Sequence, residues 1–334
     1  MSYEEAFAVA ERYARFAHDE APGRSARYGE WAAGVATDKD VQNLLAQIPA
    51  HRRQPPLVFA VTRMLGAPEG DYAAWARWLP GHLPEVAEEC TRRGLQTNEP
   101  LRCAALLPAL SLVDGPIALL EIGASAGLCL YPDRYSYRYR GATDLDPPTG
   151  PSTVTLNSRW SGQDASLRTP EIVWRAGIDL APVDVASARD RAFLAALVWP
   201  GETGRLARIE AAIDLVRAEP PRLVRGDATA PRVLTSLADT APKDATLIIT
   251  TPGVLPHIPR AGRAALFGEI DAARISRPRT RWVSLDPPAL HDRWGATPTT
   301  AGGFVLGMDD RALGCADPLG AWVEWLPRDV SPRR

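Results

Sequence analysis

Lysine is nearly missing from this 334-residue chain: of its 38 basic residues, only Lys39 and Lys243 are not arginine. With 40 acidic residues against them the formal net charge is −2, so no global field draws in nucleic acid or an anionic membrane. Cysteine is scarce as well. Cys90, Cys103, Cys129 and Cys315 show no CxxC spacing and no Cys/His cluster, which argues against a zinc module or disulfide framework and fits a reducing compartment. Long apolar runs are absent: nothing approaches the ~20 residues of a membrane span. The start, "MSYEEAFAVAERYARF", is acidic and then amphipathic, with no apolar signal core. Internal repeats and low-complexity tracts are lacking too, apart from a Pro/Arg tail after Trp325. The expectation is a soluble, cytoplasmic protein with no membrane and no nucleic-acid partner. What is present is apolar material, 46% of the residues, ample for a real core in one or two domains.

The first ~110 residues carry helical periodicity. Ser2 and Glu5 form a capping box, followed by Phe7, Ala10, Tyr13, Ala14 and Ala17 at helical spacing. Tyr28, Trp31, Ala32 and Val35 repeat an i, i+3, i+4, i+7 stripe. "VQNLLAQI" is a third amphipathic stretch, and "PPLVFAVTRMLG" has Pro at its start and Gly66 at its end. Further helices are expected at about 84–93 and 99–113. From about residue 116, short β-rich runs alternate with helical segments: "IALLEIG", "EIVWRAGID", "RLVRGDA", "ATLIITTP" and "TRWVSLDPP". That alternation predicts βαβ units and a parallel, doubly wound sheet. Two apolar runs joined through Asp and Gly in "GGFVLGMDDRALGCADPLGAWVEWL" predict an antiparallel hairpin near the C-terminus. The expected fold is therefore α/β, a Rossmann-like class I methyltransferase fold with a mostly parallel seven-stranded sheet. An all-helical cap over 1–113 precedes a domain over 114–330, with a β-rich insert at about 131–170 that reads as a small hairpin.

Three acidic positions stand at predicted strand ends. In "LLEIGASAGL", Gly123, Ser125 and Gly127 allow a tight turn that presents amides at a helix N-terminus. The loop lacks GK[ST] and has Ser125 at the second Gly of the dinucleotide fingerprint. A carboxylate at Glu121 can meet a cationic amine while the loop amides meet a carboxylate, which suits the methionine moiety of S-adenosylmethionine; a glycine-rich turn made only for packing is the competing reading. Asp179, in "WRAGIDLAPVDV", can accept both hydroxyls of a ribose; Asp184 is its rival and reads better as a helix cap. Asp227, in "LVRGDAT", can take the adenine amine while the backbone N–H of Ala228 meets a ring nitrogen.

The chain resembles the bacterial domain-of-unknown-function family 2332, and the resemblance implies a class I methyltransferase-like fold. The resemblance is carried by "QPPLVFAVTRMLGAP", "LQTNEPLR", "LLEIGASAGLCLYPDRYSYRY", "RAGIDLAPVDV", "VWPGETGRLARIEAAI" and the terminal "GAWVEW". It implies a cofactor loop at Glu121, Gly123, Ser125 and Gly127, a ribose acid at Asp179 and an adenine contact at Asp227. It also implies a polar roof from Gln96, Thr97, Asn98 and Glu99, and a second motif at Asp133, Arg134 and Tyr135. The chain departs from the family pattern at Cys129 (Asn expected), at Thr250 and Thr251 (His-Ser expected) and at Leu319 (His expected), which puts the reaction in doubt rather than the cofactor. Thr250, at the fourth strand, is counted with the cofactor contacts.

Methyl transfer needs alignment and a deprotonated nucleophile. His257, in "TPGVLPHIP", is the candidate base. Tyr131, Tyr135 and Tyr137 are candidates for lining the substrate side or holding the sulfonium, with the ordinary aromatic alternation of a strand as the competing reading, and Asn98 completes the catalytic set with His257 and Tyr131. His18, His51, His82 and His291 have no neighbouring chemical cue, and Cys129 reads as a small hydrophobe. No metal site is expected. The leading reading is an S-adenosylmethionine-dependent methyltransferase for a small molecule. The alternatives are a cyclase or lyase that releases methylthioadenosine, and a catalytically silent binder of the cofactor or its product. An NAD-linked oxidoreductase is disfavoured by Ser125 and by the long gap before Asp179, against the usual ~20 residues.

Overall fold

The structure, a computed structural model, describes residues 3–163, 165–290 and 303–326. Ser2 of the capping box, His291 and the Pro/Arg tail from residue 327 lie outside the described residues. The chain divides into two compact units, residues 1–97 with 184–210, and residues 98–183 with 211–334.

The first unit is helical. It holds α1 (Tyr3–Arg15), α2 (Ala26–Thr37), α3 (Lys39–Leu45), α4 (Pro55–Met64) and α5 (Tyr72–Arg92), while α6 (Arg102–Leu110) falls in the second unit and α7 (Ala188–Ala196) in the first. Residues 98–113, which the sequence pattern groups with the helical cap, thus cluster with the sheet. Side-chain caps set the helix starts: Ser25 accepts from the amide of Tyr28 and Asp71 from that of Ala74. Asp38 closes α2 through its own N–H and opens α3 by accepting from Asp40 and Val41.

The stripe Tyr28, Trp31, Ala32 and Val35 is buried, as its spacing predicts. Along α1 and into the π-helical turn that follows it (Phe16–Glu20), the buried stripe is Val9, Tyr13 and Phe16; Tyr13 is buried as expected, but Phe7 is exposed. The helix expected from about 84 starts at Tyr72 and carries Pro80 and Pro84 within it. Phe59 of the all-round-buried α4 is the centre of the core: the rings of Tyr28, Trp31 and Trp75 lie 5.0, 5.4 and 5.5 Å from it. Such aromatic contacts each contribute about 0.5–1.5 kcal/mol beyond area burial.

The second unit is built on one ten-stranded sheet, where seven strands were expected. Its strands are β1 (Ile117–Ile122), β2 (Ser136–Arg140), β3 (Thr155–Gly162), β4 (Ile172–Asp179), β5 (Arg222–Arg225), β6 (Thr246–Pro252), β7 (Thr280–Asp286), β8 (Phe304–Met308), β9 (Arg311–Ala316) and β10 (Trp322–Trp325). Their order is β2-β3-β10-β9-β8-β7-β6-β1-β4-β5. The block β5-β4-β1-β6-β7 is parallel throughout. Central β1 is buried along all six residues, as a parallel strand covered on both faces must be. Helices α8 (Arg205–Ala218), α9 (Val233–Ala238) and α10 (Arg260–Ser276) follow the strands, and α9 and α10 cover one face with Leu234, Leu237, Leu266 and Ile270.

The antiparallel hairpin is β8–β9, turned at Asp309 and Asp310, both at positive φ (50° and 65°). The insert departs from expectation. Its strands β2 and β3 pair parallel, not as a hairpin, and β3 joins β10 to extend the same sheet. Residues 141–154 return the chain to the start of the next strand, which parallel pairing requires. Among the described residues no helix is long and apolar enough to cross a membrane.

Candidate functional site

Strand β1 lies between β4 and β6: once the β2–β3 insert has run to the far edge of the sheet, the chain lays β4 and β5 on one side of β1 and then returns through β6 on the other. Open α/β sheets take their ligands outside the carboxyl ends of the strands at such a reversal. Glu121, Asp179, Asp227 and Thr250 all stand at those ends.

The loop after β1 has Gly123, Ser125 and Gly127 at φ +74°, +51° and +75°. Its small residues are accounted for by the protein's own packing. A Cβ on Gly123 would lie 2.6 Å from Val254, and one on Gly127 2.9 Å from Pro221. No α-helix follows the loop, contrary to expectation. Leu128–Leu130 is a single 3-10 turn, and Pro132 stops its continuation. The loop therefore has no helix dipole behind it. Its amides are also engaged: Ser125 N–H donates to Asp179 Oδ2 at 2.8 Å, and Ala126 N–H to Asn98 Oδ1 at 3.1 Å.

Asp179 is consequently a hub for three strand-end loops. Its Oδ2 holds the β1 loop, its Oδ1 accepts from Ala181 at 2.8 Å, and its carbonyl accepts from Gly226 at 2.9 Å. Asp227 is exposed; its Oδ1 accepts from the amide and hydroxyl of Thr229, closing an Asx turn, with Ala228 buried beside it. Asp184 makes a similar turn onto Ala186, but Ser187 and not Asp184 caps α7, so its reading as a helix cap does not hold.

Glu121 is the outlier. Only 4% exposed, it has no partner for Oε2, and burial pushes its carboxyl well above the usual range, with Cys129 and Asp179 adding to the rise and Arg102 opposing it. A second buried acid sits at the end of β7. Asp286 accepts from Leu255 N–H at 3.1 Å through Oδ1 and leaves Oδ2 without a partner; burial raises its carboxyl too. Arg102 of α6 joins the strand-end loops, donating to the carbonyls of Pro318 (2.8 Å) and Pro252 (2.9 Å). It packs on Gly253, where a Cβ would come within 2.7 Å of Nη2. Asp286 and Arg102 escaped the sequence reading, although an acid closing an apolar strand before Pro-Pro, in "VSLDPP", was the available signal.

The other named residues are mostly spoken for. Tyr131 is fully buried, its hydroxyl donating to the Glu219 carbonyl and its ring lying 4.6 Å under the Arg175 guanidinium. Arg175 in turn grips Asp133 through two bonds of 2.7 and 2.8 Å, and Arg134 pairs with Glu219. Tyr135 and Tyr137 donate to the carbonyls of Leu128 and Pro132. All three tyrosine side chains are fully buried. Thr250 and Thr251 are buried, bonded to the Leu120 carbonyl and the Trp282 indole. His257 is exposed on the short turn after β6, with no ring partner among the described residues. Asn98 and Glu99 belong to the sheet unit: Glu99 accepts from Leu101 N–H, and its carbonyl accepts from the Cys129 thiol. Gln96 and Thr97 count with the helical unit. Cys129 is a buried small side chain, as its reading predicts. Among the described residues no group of His, Cys, Asp and Glu is arranged to hold a metal ion.

No curated protein and no solved structure matches this chain significantly. A family model matches residues 10–325, described as an uncharacterized protein conserved in bacteria. With both units lying almost wholly inside that span, the chain is a member of the DUF2332 family.

Proposed function

We propose that the region at the carboxyl ends of β1, β4, β5 and β6 binds S-adenosylmethionine, and that the protein is a methyltransferase acting on a small molecule. The observation that supports this most directly is the unpartnered Oε2 of Glu121, buried near the end of β1. A buried carboxyl with a vacant acceptor is costly unless something pairs with it, and a ligand ammonium would do so. In this reading Glu121 takes the amine, Asp179 the ribose and Asp227, whose Oδ2 is outside the Asx turn, the adenine.

The fit is uneven. The three acids suit a cationic nucleoside, whereas the Ser125 and Ala126 amides are held by Asp179 and Asn98. Binding in this mode therefore asks Asp179 to share its carboxylate between loop and ligand. When bound, the cofactor supplies an electrophilic methyl group on a sulfonium. The chain's part is to orient it, exclude water through the buried strand ends and, at exposed His257, accept a proton from the nucleophile.

Isothermal titration with S-adenosylmethionine tests the reading, followed by mass spectrometry of the incubated mixture. Glu121→Gln and Asp227→Ala should each weaken binding by about tenfold or more, the worth of one charged hydrogen bond. No heat from wild type overturns the proposal. The engaged loop amides and buried Thr250 and Thr251 leave few polar groups for an acceptor, which favours a second reading as a lyase or cyclase. Methylthioadenosine released with no acceptor present would select it.

A further inference from the structure

Strands β2 and β3 lie at the opposite end of the sheet from β4 and β5, and their outer face is basic. Side chains alternate along each strand: Tyr137 and Tyr139 of β2 and Leu156, Ser158 and Trp160 of β3 are buried, which turns Arg140, Asn157 and Arg159 outward. The parallel register sets Arg138 opposite Asn157 and Arg140 opposite Arg159. Two arginines thus start about 4.8 Å apart on neighbouring strands, an arrangement that like charges oppose.

Nearby acids do not relieve it. Asp144 and Asp146 are taken by Arg138, at 3.7 and 2.8 Å. The side chains of Arg140, Arg159 and Asn157 have no hydrogen-bond or ion-pair partner among the described residues. All of them line a groove of about 400 Å³, closed by Arg138, Asp144 and Ala321. Charge on an edge strand is a common guard against aggregation, which would account for Arg140 on β2. It does not account for Arg159, whose strand is paired on both sides, with β2 and β10. One residue further across, half-exposed Trp322 of β10 stands in register with Arg159.

We propose that this groove is an oxyanion site that takes the phosphoryl group of a small phosphate-bearing molecule between Arg140 and Arg159, with Asn157 as a further donor. Guanidinium forks match phosphate oxygens in pairs, and an anion between the two arginines converts their repulsion into attraction. The same phosphoryl chemistry is offered by free pyrophosphate and by a nucleotide, and Trp322 is placed to stack on the base of the second.

The test is isothermal titration of the full chain with sodium pyrophosphate and, separately, with adenosine diphosphate. Work at about 0.01 M ionic strength keeps the Debye length near 30 Å. Saturable binding is expected, weakened about tenfold or more by Arg140→Ala or Arg159→Ala, the effect of losing one charged hydrogen bond. Arg311→Ala, an exposed arginine outside the groove, should leave it unchanged. Each groove variant removes a like-charge contact, so its Tm should equal or exceed that of wild type. Tighter binding of the diphosphate nucleotide, lost in Trp322→Ala, identifies a nucleotide; equal affinities identify the phosphate alone. Absence of binding to either probe overturns the proposal. So does undiminished affinity in the Arg140→Ala/Arg159→Ala double variant, or a fall in Tm, which would make the pair structural.

Discussion

Removing the Asp179 carboxylate separates its two possible roles. In the ligand-free protein it accepts from Ser125 and Ala181, both at 2.8 Å. Asp179→Ala leaves both amides without that acceptor. Hydrogen bonds to a charged group each contribute about 1.5–3 kcal/mol net, and water can reach this half-buried site and recover part of the loss. The expected cost is about 2–4 kcal/mol, in line with two helix-cap-like losses of about 1–2 kcal/mol each. At roughly 2–4 °C per kcal/mol for a unit of this size, Tm should fall by about 5–15 °C. Asp179→Asn keeps one acceptor oxygen and should lose about half as much. Differential scanning calorimetry without ligand reads the cost, and hydrogen exchange at the Ser125 and Ala181 amides reads its location. A Tm within about 1 °C of wild type would refute the hub. If binding of S-adenosylmethionine were lost at the same time, the carboxylate would be facing the ligand instead.

Two further outcomes follow from the buried acids and the loop glycines. Burial raises the carboxyls of Glu121 and Asp286, so their folded-state values lie above the unfolded ~4.3 and ~3.9. Between the unfolded and folded values the folded protein binds more protons than the unfolded chain, and stability falls with rising pH by up to about 1.4 kcal/mol per unit for each group. Glu121→Gln and Asp286→Asn should therefore match wild type near pH 4 and exceed it near pH 7 in urea denaturation; a variant less stable at neutral pH than at pH 4, relative to wild type, would reverse the sign. Gly123→Ala places a Cβ 2.6 Å from Val254 at φ +74°, adding about 1–2 kcal/mol of backbone strain to the clash. Val254→Ala should recover the clash portion and leave the strain, a coupling that a double-mutant cycle measures.

Much of the architecture is local and could be read from the chain. The stripe Tyr28, Trp31, Ala32 and Val35 has to be buried wherever its helix packs, because four apolar side chains on one face have no other way out of water. The apolar run of β1 is long enough only for a strand and too apolar to be exposed on either face. The turn at Asp309 and Asp310 lies between two apolar runs, so the β8–β9 hairpin is specified by neighbours in sequence. Acids at or just past strand ends were visible as Glu121, Asp179 and Asp227 for the same reason.

What tertiary structure decided depends on partners far away in the chain. The insert's β3 finds β10 more than 150 residues later, and no periodicity within the insert encodes that pairing. The small residues of "GASAG" are explained by Val254 and Pro221, which only folding brings there. Asp179 read as a free acid because its bond to Ser125, 54 residues away, is invisible in sequence. Glu121 and Asp286 became distinctive only once burial deprived one oxygen of each of any partner. Composition and spacing determine which segments are helices and strands, since those choices rest on the chain's nearest neighbours. Whether a carboxylate is solvated, shared or stranded is decided by what folds over it, because desolvation is a property of the surroundings and not of the residue.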